Sequence, residues 1–208
     1  VAATNEGAFR AEIVPVEVPA SGRRRATVVE RDECPRPDTS LAALAALRPA
    51  FIPNGKVTAG NSPGLTDGAA ALVVMEGERA RQLGCEPLAR VTGYAQAAVE
   101  PKWLFTAPAC ATRALLERTG LDLDDFDLLE VNEAFAAQML ANGKELAWNW
   151  ARVNVHGGAI ALGHPIGASG ARVLVTLLYA LRDVGKTRGL AALCLGGGEA
   201  VALSVEML

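Results

Sequence analysis

The sequence predicts an α/β protein, on three observations. Half of its 208 residues are hydrophobic yet only 5% are aromatic, so Ala, Val and Leu fill the core, as in closely packed sheet and helix layers. Short apolar runs bounded by turn residues alternate with helical patterns. Clustered glycines, out of 21 in all, punctuate the junctions, most densely in Val153–Gly170, VNVHGGAIALGHPIGASG.

In chain order, Val1–Phe9 reads as the tail of a helix. Ile13–Val18 reads as an edge strand, because Pro15 has no N–H to give a central one. Ser21–Arg25 (SGRRR) and Cys34–Asp38 (CPRPD) are loops, the first a solvated basic turn. Ser40–Leu47 predicts a short helix with Asp38, Thr39 or Ser40 as its cap, ended by Pro49 and Pro53. Lys56–Gly60 predicts a strand before the turn Asn61–Gly64. Thr66 or Asp67 then caps a helix through GAAALVVMEGERARQLG, stopped at Gly84.

Leu88–Tyr94 predicts a strand and Thr106–Thr119 an amphipathic helix with Pro108 in its first turn and Gly120 as its stop. After an acidic loop at Asp122–Asp127, Phe126–Val131 predicts a buried strand that ends at Asn132, and Glu133–Ala147 continues as a helix. Val153–Val155 is a brief strand. Ala171–Leu181 is apolar nearly all round, a helix that wants cover on every side. Leu190–Leu195 and Val201–Val205 form a hairpin across Gly196–Ala200, with Cys194 near its mouth.

The totals exclude several classes. A formal net charge of −3 gives no reason to expect nucleic acid or an anionic membrane as partner. No apolar run reaches the roughly 20 residues a membrane helix needs, and the first residues lack a signal-peptide pattern. Cys34, Cys85, Cys110 and Cys194 show no C-x-x-C spacing, so reduced thiols in the cytoplasm are expected. No window matches G-x-G-x-x-G. Gly185-Lys186-Thr187 lacks the phosphate-loop glycine, having Ala180 in its place, and follows a helix. His156 and His164 have no Asp, Glu or Cys between them, so no metal is expected.

Singly, Asn132 is an ordinary helix cap, His164 serves structure as readily as catalysis, and Cys194 is a small buried hydrophobe. Their joint placement says more. Each stands at a strand end or in a glycine turn, and functional groups in α/β sheets gather at the carboxyl ends of strands. A thiol and an imidazole can trade a proton, and the N–H groups of Gly196–Gly198 can stabilise an oxyanion. The set suits acyl transfer or proton abstraction beside a carbonyl.

Asn132-Glu133-Ala134-Phe135, Gly163-His164-Pro165 and Cys194-Leu195-Gly196-Gly197-Gly198 resemble, in this order, three active-site motifs of the thiolases. Asn54–Ala71 (NGKVTAGNSPGLTDGAAA) is similar to the segment that closes the family's CoA-binding loop domain, and the likeness runs from about Glu12 to the end. The resemblance implies the layered αβαβα thiolase fold, and assigns Asn132 and His164 to one oxyanion hole, with a water held by Asn132. It makes Cys194 the acid/base at the acetyl-CoA methyl group and the Gly196 N–H part of a second oxyanion hole. Arg36, Phe51, Ala59, Ala134 and Phe135 match positions near bound CoA. Pro63 replaces a serine that often meets the pantetheine arm, with Ser62 beside it, and Ala43 replaces another serine.

A thiolase chain is about twice as long, and none of Cys34, Cys85 or Cys110 sits in the motif of the acyl-carrying cysteine. The resemblance therefore implies the C-terminal half of an acyl-CoA C-acyltransferase. Residues 1–65 end the loop region, 66–86 form the last helix of the N-terminal domain, and 87–208 make the C-terminal domain. Its expected partners are an N-terminal half bearing the nucleophile, acyl-CoA and CoA as substrates rather than cofactors, and further copies in a dimer or tetramer. Condensation of two acetyl-CoA is preferred over degradative 3-ketoacyl-CoA thiolysis. A non-catalytic acyl-CoA-binding subunit is the alternative.

Overall fold

The computed structural model describes residues 1–208. The elements are α1 (Ala2–Glu6), β1 (Val16–Val18), β2 (Thr27–Val29), α2 (Leu41–Ala45), α3 (Gly77–Gln82), β3 (Ala89–Ala98), α4 (Ala107–Thr119), β4 (Leu128–Val131), α5 (Ala136–Glu145), α6 (Ala159–Leu162), α7 (Ser169–Asp183), β5 (Arg188–Leu195) and β6 (Glu199–Met207). The last four strands form one sheet in the order β3-β6-β5-β4. Only β4 and β5 run parallel; β3–β6 and β5–β6 are antiparallel.

Two helical layers sandwich this sheet, and the strands show why. Side chains alternate between faces with period two. Thus Leu129, Val131, Leu190 and Ala192 join Leu115 and Phe126 in the core beneath α4. Their neighbours Leu128 and Ala191 face α7, packing on Val173, Leu177 and Leu181. All four residues of β4 are buried, as a strand covered on both faces must be. This architecture agrees with the predicted fold class.

The first 88 residues are looser. Ser40 caps α2 by accepting the Ala43 N–H at 3.1 Å, and the edge strand pairs antiparallel with β2, a partner the sequence reading lacks. Four elements differ from expectation. Lys56–Gly60 is no strand: the Thr58 side chain accepts the Gly60 N–H and the Thr58 N–H donates to Asn61 Oδ1, so a 3₁₀ turn, Ala59–Asn61, forms instead. The helix foreseen from Thr66 to Gly84 shrinks to α3, and residues 67–76 belong to no helix or strand. A short apolar run does not by itself distinguish strand from helix, and the β-branched Val73-Val74 pair lowers helix propensity. The helix α5 begins at Ala136 rather than Glu133, with Phe135 in the capping position. Finally, Val153–Val155 is no strand: Val153 makes a single bridge to Leu129, and the chain then turns at Asn154, whose φ is positive.

Candidate active site

The site is built where β4 stops. The Asn132 N–H continues the parallel ladder to the Ala192 carbonyl at 2.9 Å, which fixes the backbone while the side chain leaves the sheet. Asn132 is fully buried, and since Phe135 caps α5 the amide is free of the ordinary capping role. On the outer edge of β4 a second asparagine stands in for a missing strand. The Asn154 side chain accepts the Val131 N–H and donates to the Val131 carbonyl, both at 2.8 Å, and donates to Glu133 at 3.1 Å. Asn154 takes a positive φ of 46° to do so, a region asparagine tolerates better than most residues.

Glu133 ties this strand end to the glycine-rich segment by also accepting the Ile160 N–H at 2.9 Å. That segment holds α6 and then turns at Gly163, where φ is +101° and an added Cβ would lie 2.5 Å from Thr66 Oγ1. Only glycine suits both conditions. His164 follows. Its Nε2 lies 3.3 Å from Asn132 Nδ2, and its Nδ1 lies 2.6 Å from the buried Ser169 hydroxyl at the start of α7. Burial holds the imidazole below its usual range, and the nearby Arg172 charge pushes the same way. The ring is therefore neutral at neutral pH.

The structure brings Asn132 and His164 together. Cys194 lies on the adjoining strand, two residues beyond the Ala192 that pairs with Val131. Its thiol is free, and burial raises its pKa. Gly196 opens the 3₁₀ turn Gly196–Gly198 between β5 and β6. That turn is pinned where the Val99 N–H donates to Gly198 at 2.8 Å.

Among residues matched to CoA contacts, Phe51 and Phe135 meet edge to face at 6.0 Å, and Phe105 joins Phe135 at 5.1 Å. Ala134 is buried, its N–H bonded to Gln138 at 3.1 Å. Ser62 donates to the Thr58 carbonyl at 2.8 Å. Arg36 and Ala59 are exposed on the loop region. Ser169, Asn154 and Phe105 are contributors that the sequence reading does not single out. Glu133 enters it only as a letter of a motif.

A buried charge cluster lies on the α7 side. Arg172 pairs with the buried Glu130 at 3.0 Å, while Thr176 donates to Glu12 at 3.5 Å. Burial raises Glu130 to about 8 against the pull of Arg172, and raises Glu12 to about 7.

A mixed sheet between helices, with an imidazole–amide pair at the end of its parallel strands, defines an α/β protein whose chemistry sits at a strand-end junction. The chain belongs to the thiolase family: the thiolase C-terminal domain matches residues 85–207 and the thiolase N-terminal domain matches residues 1–78. It is 54% identical over 207 residues to an acetyl-CoA acetyltransferase of Escherichia coli strain K12, covering 100% of this chain and 52% of that protein. With the acetyl-CoA acetyltransferase of Pseudomonas aeruginosa it shares 52% identity over 205 residues, 99% of this chain and 52% of the relative. The crystal structure of the Bacillus anthracis acetyl-CoA acetyltransferase superimposes with a TM-score of 0.96 at 48% identity, over 100% of this chain and 52% of that one. Human mitochondrial 3-ketoacyl-CoA thiolase in complex with CoA gives 0.91 at 37% identity, over 100% and 51%. The chain thus spans about half the length of these relatives.

Proposed function

We propose that this chain is the C-terminal part of an acetyl-CoA C-acyltransferase. Acting with a thiolase N-terminal half, it makes acetoacetyl-CoA and CoA from two acetyl-CoA, or runs the reverse thiolysis. The observation that carries the reading is the pairing of neutral His164 with Asn132 at 3.3 Å, at the end of the strand next to the one bearing Cys194. The names of the relatives support acetyl-CoA over longer acyl chains.

The chemistry follows from the groups. A C–H beside a thioester is a weak acid, so its removal needs a base nearby and donors on the carbonyl oxygen. Asn132 and His164 supply such donors, directly or through a water, and Gly196 supplies an N–H for the second acyl group. Cys194 exchanges the proton. Its raised pKa keeps the resting thiol protonated, which suits proton delivery to the departing acetyl-CoA carbanion in thiolysis; the condensing direction gains as pH rises and the thiolate becomes accessible. The nucleophile that carries the acyl group comes from the N-terminal half, and ping-pong transfer through it divides one hard step into two. Phe51, Phe135 and Ala134 line the CoA approach, with Arg36, Ala59 and Ser62 on its loop side. Assembly in dimers or tetramers, in the cytoplasm, completes the proposal.

The test is Cys194→Ala in the protein assembled with an N-terminal half. Acetoacetyl-CoA thiolysis should fall about 10²- to 10⁴-fold, the usual worth of a general acid/base, while CoA binding stays near normal. Unchanged turnover eliminates the enzyme reading. Activity undetectable even in the unsubstituted assembly points to an acyl-CoA-binding subunit.

A further inference from the structure

Arg172 stands where a cation is least expected. It lies in the first turn of α7, where the helix dipole favours negative groups, and its side chain is only 19% exposed. One terminal nitrogen, Nη1, donates to Glu130 at 3.0 Å; the other, Nη2, is buried with no acceptor in reach. Stability does not account for such a pair, because apolar residues of similar volume commonly replace a buried guanidinium–carboxyl contact without loss. The register offers a reason. Glu130 and Asn132 are two residues apart along β4 and so point to the same face, separated by about 6.6 Å of strand. Ser169 and Arg172 are three apart on α7, nearly one turn, or about 4.5 Å of helix. The Arg172–Glu130 bond is therefore one rung between strand and helix. The next rung is Asn132, His164 and Ser169, joined at 3.3 and 2.6 Å.

We propose that Arg172 is a positioning residue for the strand-end site: by holding α7 to Glu130 it fixes the spacing of the Asn132 amide and the His164 ring, and it sets a fixed positive charge behind that ring. The charged groups around it come from several elements. Glu130 faces it from β4, Glu12 and Asp32 from the N-terminal segment, and His164 from the glycine-rich segment, while Glu133 acts on Glu130 in turn. After burial itself, the guanidinium is what disfavours the imidazolium form. A cation there thus serves a ring that has to stay neutral, whereas an apolar side chain would supply packing alone. The effect on turnover rests on the acyltransferase reading; the geometry and the titration of the ring do not.

The test compares Arg172→Lys, which keeps the charge, with the neutral pair Glu130→Met/Arg172→Met, which keeps the volume and removes both partners. In the full chain, labelled at histidine with ¹³C and ¹⁵N, magic-angle-spinning spectra follow the titration of each ring whatever the assembly size. There are 2 histidines, and His156→Gln identifies ring 164. In the neutral pair ring 164 should titrate higher, toward the ordinary histidine range, and in Arg172→Lys it should stay with the parent. A neutral pair that titrates with the parent overturns the proposal. Its urea midpoint should match or exceed that of the parent; a lower midpoint, or failure to fold, means that the contact serves stability and overturns the proposal as well. In the assembled enzyme the neutral pair should lower kcat about tenfold or more, as small misplacements of reacting groups do, with KM within about twofold. Arg172→Lys should lie between parent and neutral pair. An unchanged kcat in the neutral pair, or a lysine no better than it, overturns the proposal. An assembly with no turnover before substitution defeats the acyltransferase reading alone, and titration and midpoint still decide the role of Arg172.

Discussion

Glu133 is the residue on which the strand end and the glycine-rich segment both depend, since its carboxylate accepts from Asn154 and from the Ile160 N–H. Glu133→Ala leaves two donors without their partner, a loss of about 1–3 kcal/mol. The expected outcome is a urea midpoint lowered accordingly; a midpoint unchanged within error would show the contacts to be incidental. At this scale the sequence was informative where chemistry interrupts pattern. Asn132, His164 and Cys194 are polar or reactive residues at the limits of apolar runs, and each lies at such a limit in the structure. Ser169 was illegible for the opposite reason: a serine between Ala168 and Gly170 looks like any turn residue until the fold brings it to the imidazole.

The elements tell a similar story. The assignments behind β4, β5, α4 and α7 hold because these elements are long enough, or buried enough, to impose a clear pattern, whereas the brief strand expected at Val153–Val155 is only a single bridge from Val153 to Leu129. The errors fall on short segments, where Thr58 and Asn61 prefer each other to a sheet partner, and on an apolar run whose period is ambiguous. The turn joining β5 to β6 offers a test. At Gly198 φ is +105° and a Cβ would lie 2.4 Å from the Val99 carbonyl oxygen, so Gly198→Ala should cost roughly 2 kcal/mol or more in denaturant unfolding. A neutral substitution would mean that the Pro101–Thr106 turn yields easily.

Helix α7 provides a second test, through pH. The Glu12 and Glu130 carboxyls rise from 4.5 to about 7 and about 8, so folding favours their protonated forms. Their contribution is fully present below pH 4.5 and is lost as pH climbs through the folded values. Stability from these two groups should therefore decline between about pH 5 and 8. Glu12→Gln should flatten part of that decline in urea midpoints measured across the range. An unaltered slope would sink the assignment for Glu12.

As a whole the molecule is under-covered. A protein of 21.6 kDa would be expected to expose about 9,200 Å², yet this chain exposes 13124 Å². Much of the apolar excess lies on the first 88 residues: Leu65, Val73 and Val74 are 99%, 85% and 78% exposed. Only Leu72 of the run 68–75 packs against the core below α7. An exposed apolar segment of this kind invites association. The chain purified alone should therefore show a light-scattering mass above 21.6 kDa, and Val74→Lys should reduce it. A monodisperse monomer with cooperative unfolding would contradict this expectation and weaken the case for a companion half.

The parallel pairing of β4 with β5 has one more consequence. Asn132 is locked to Ala192 and the sulfur comes two positions later, so amide and thiol are spaced by counting along one strand. Because orientation inverts at every step in a pleated chain, deleting Leu193 alone would turn the sulfur over to the opposite side while leaving composition almost intact. Arithmetic in that strand, as much as the identity of its cysteine, determines where a proton can be handed over.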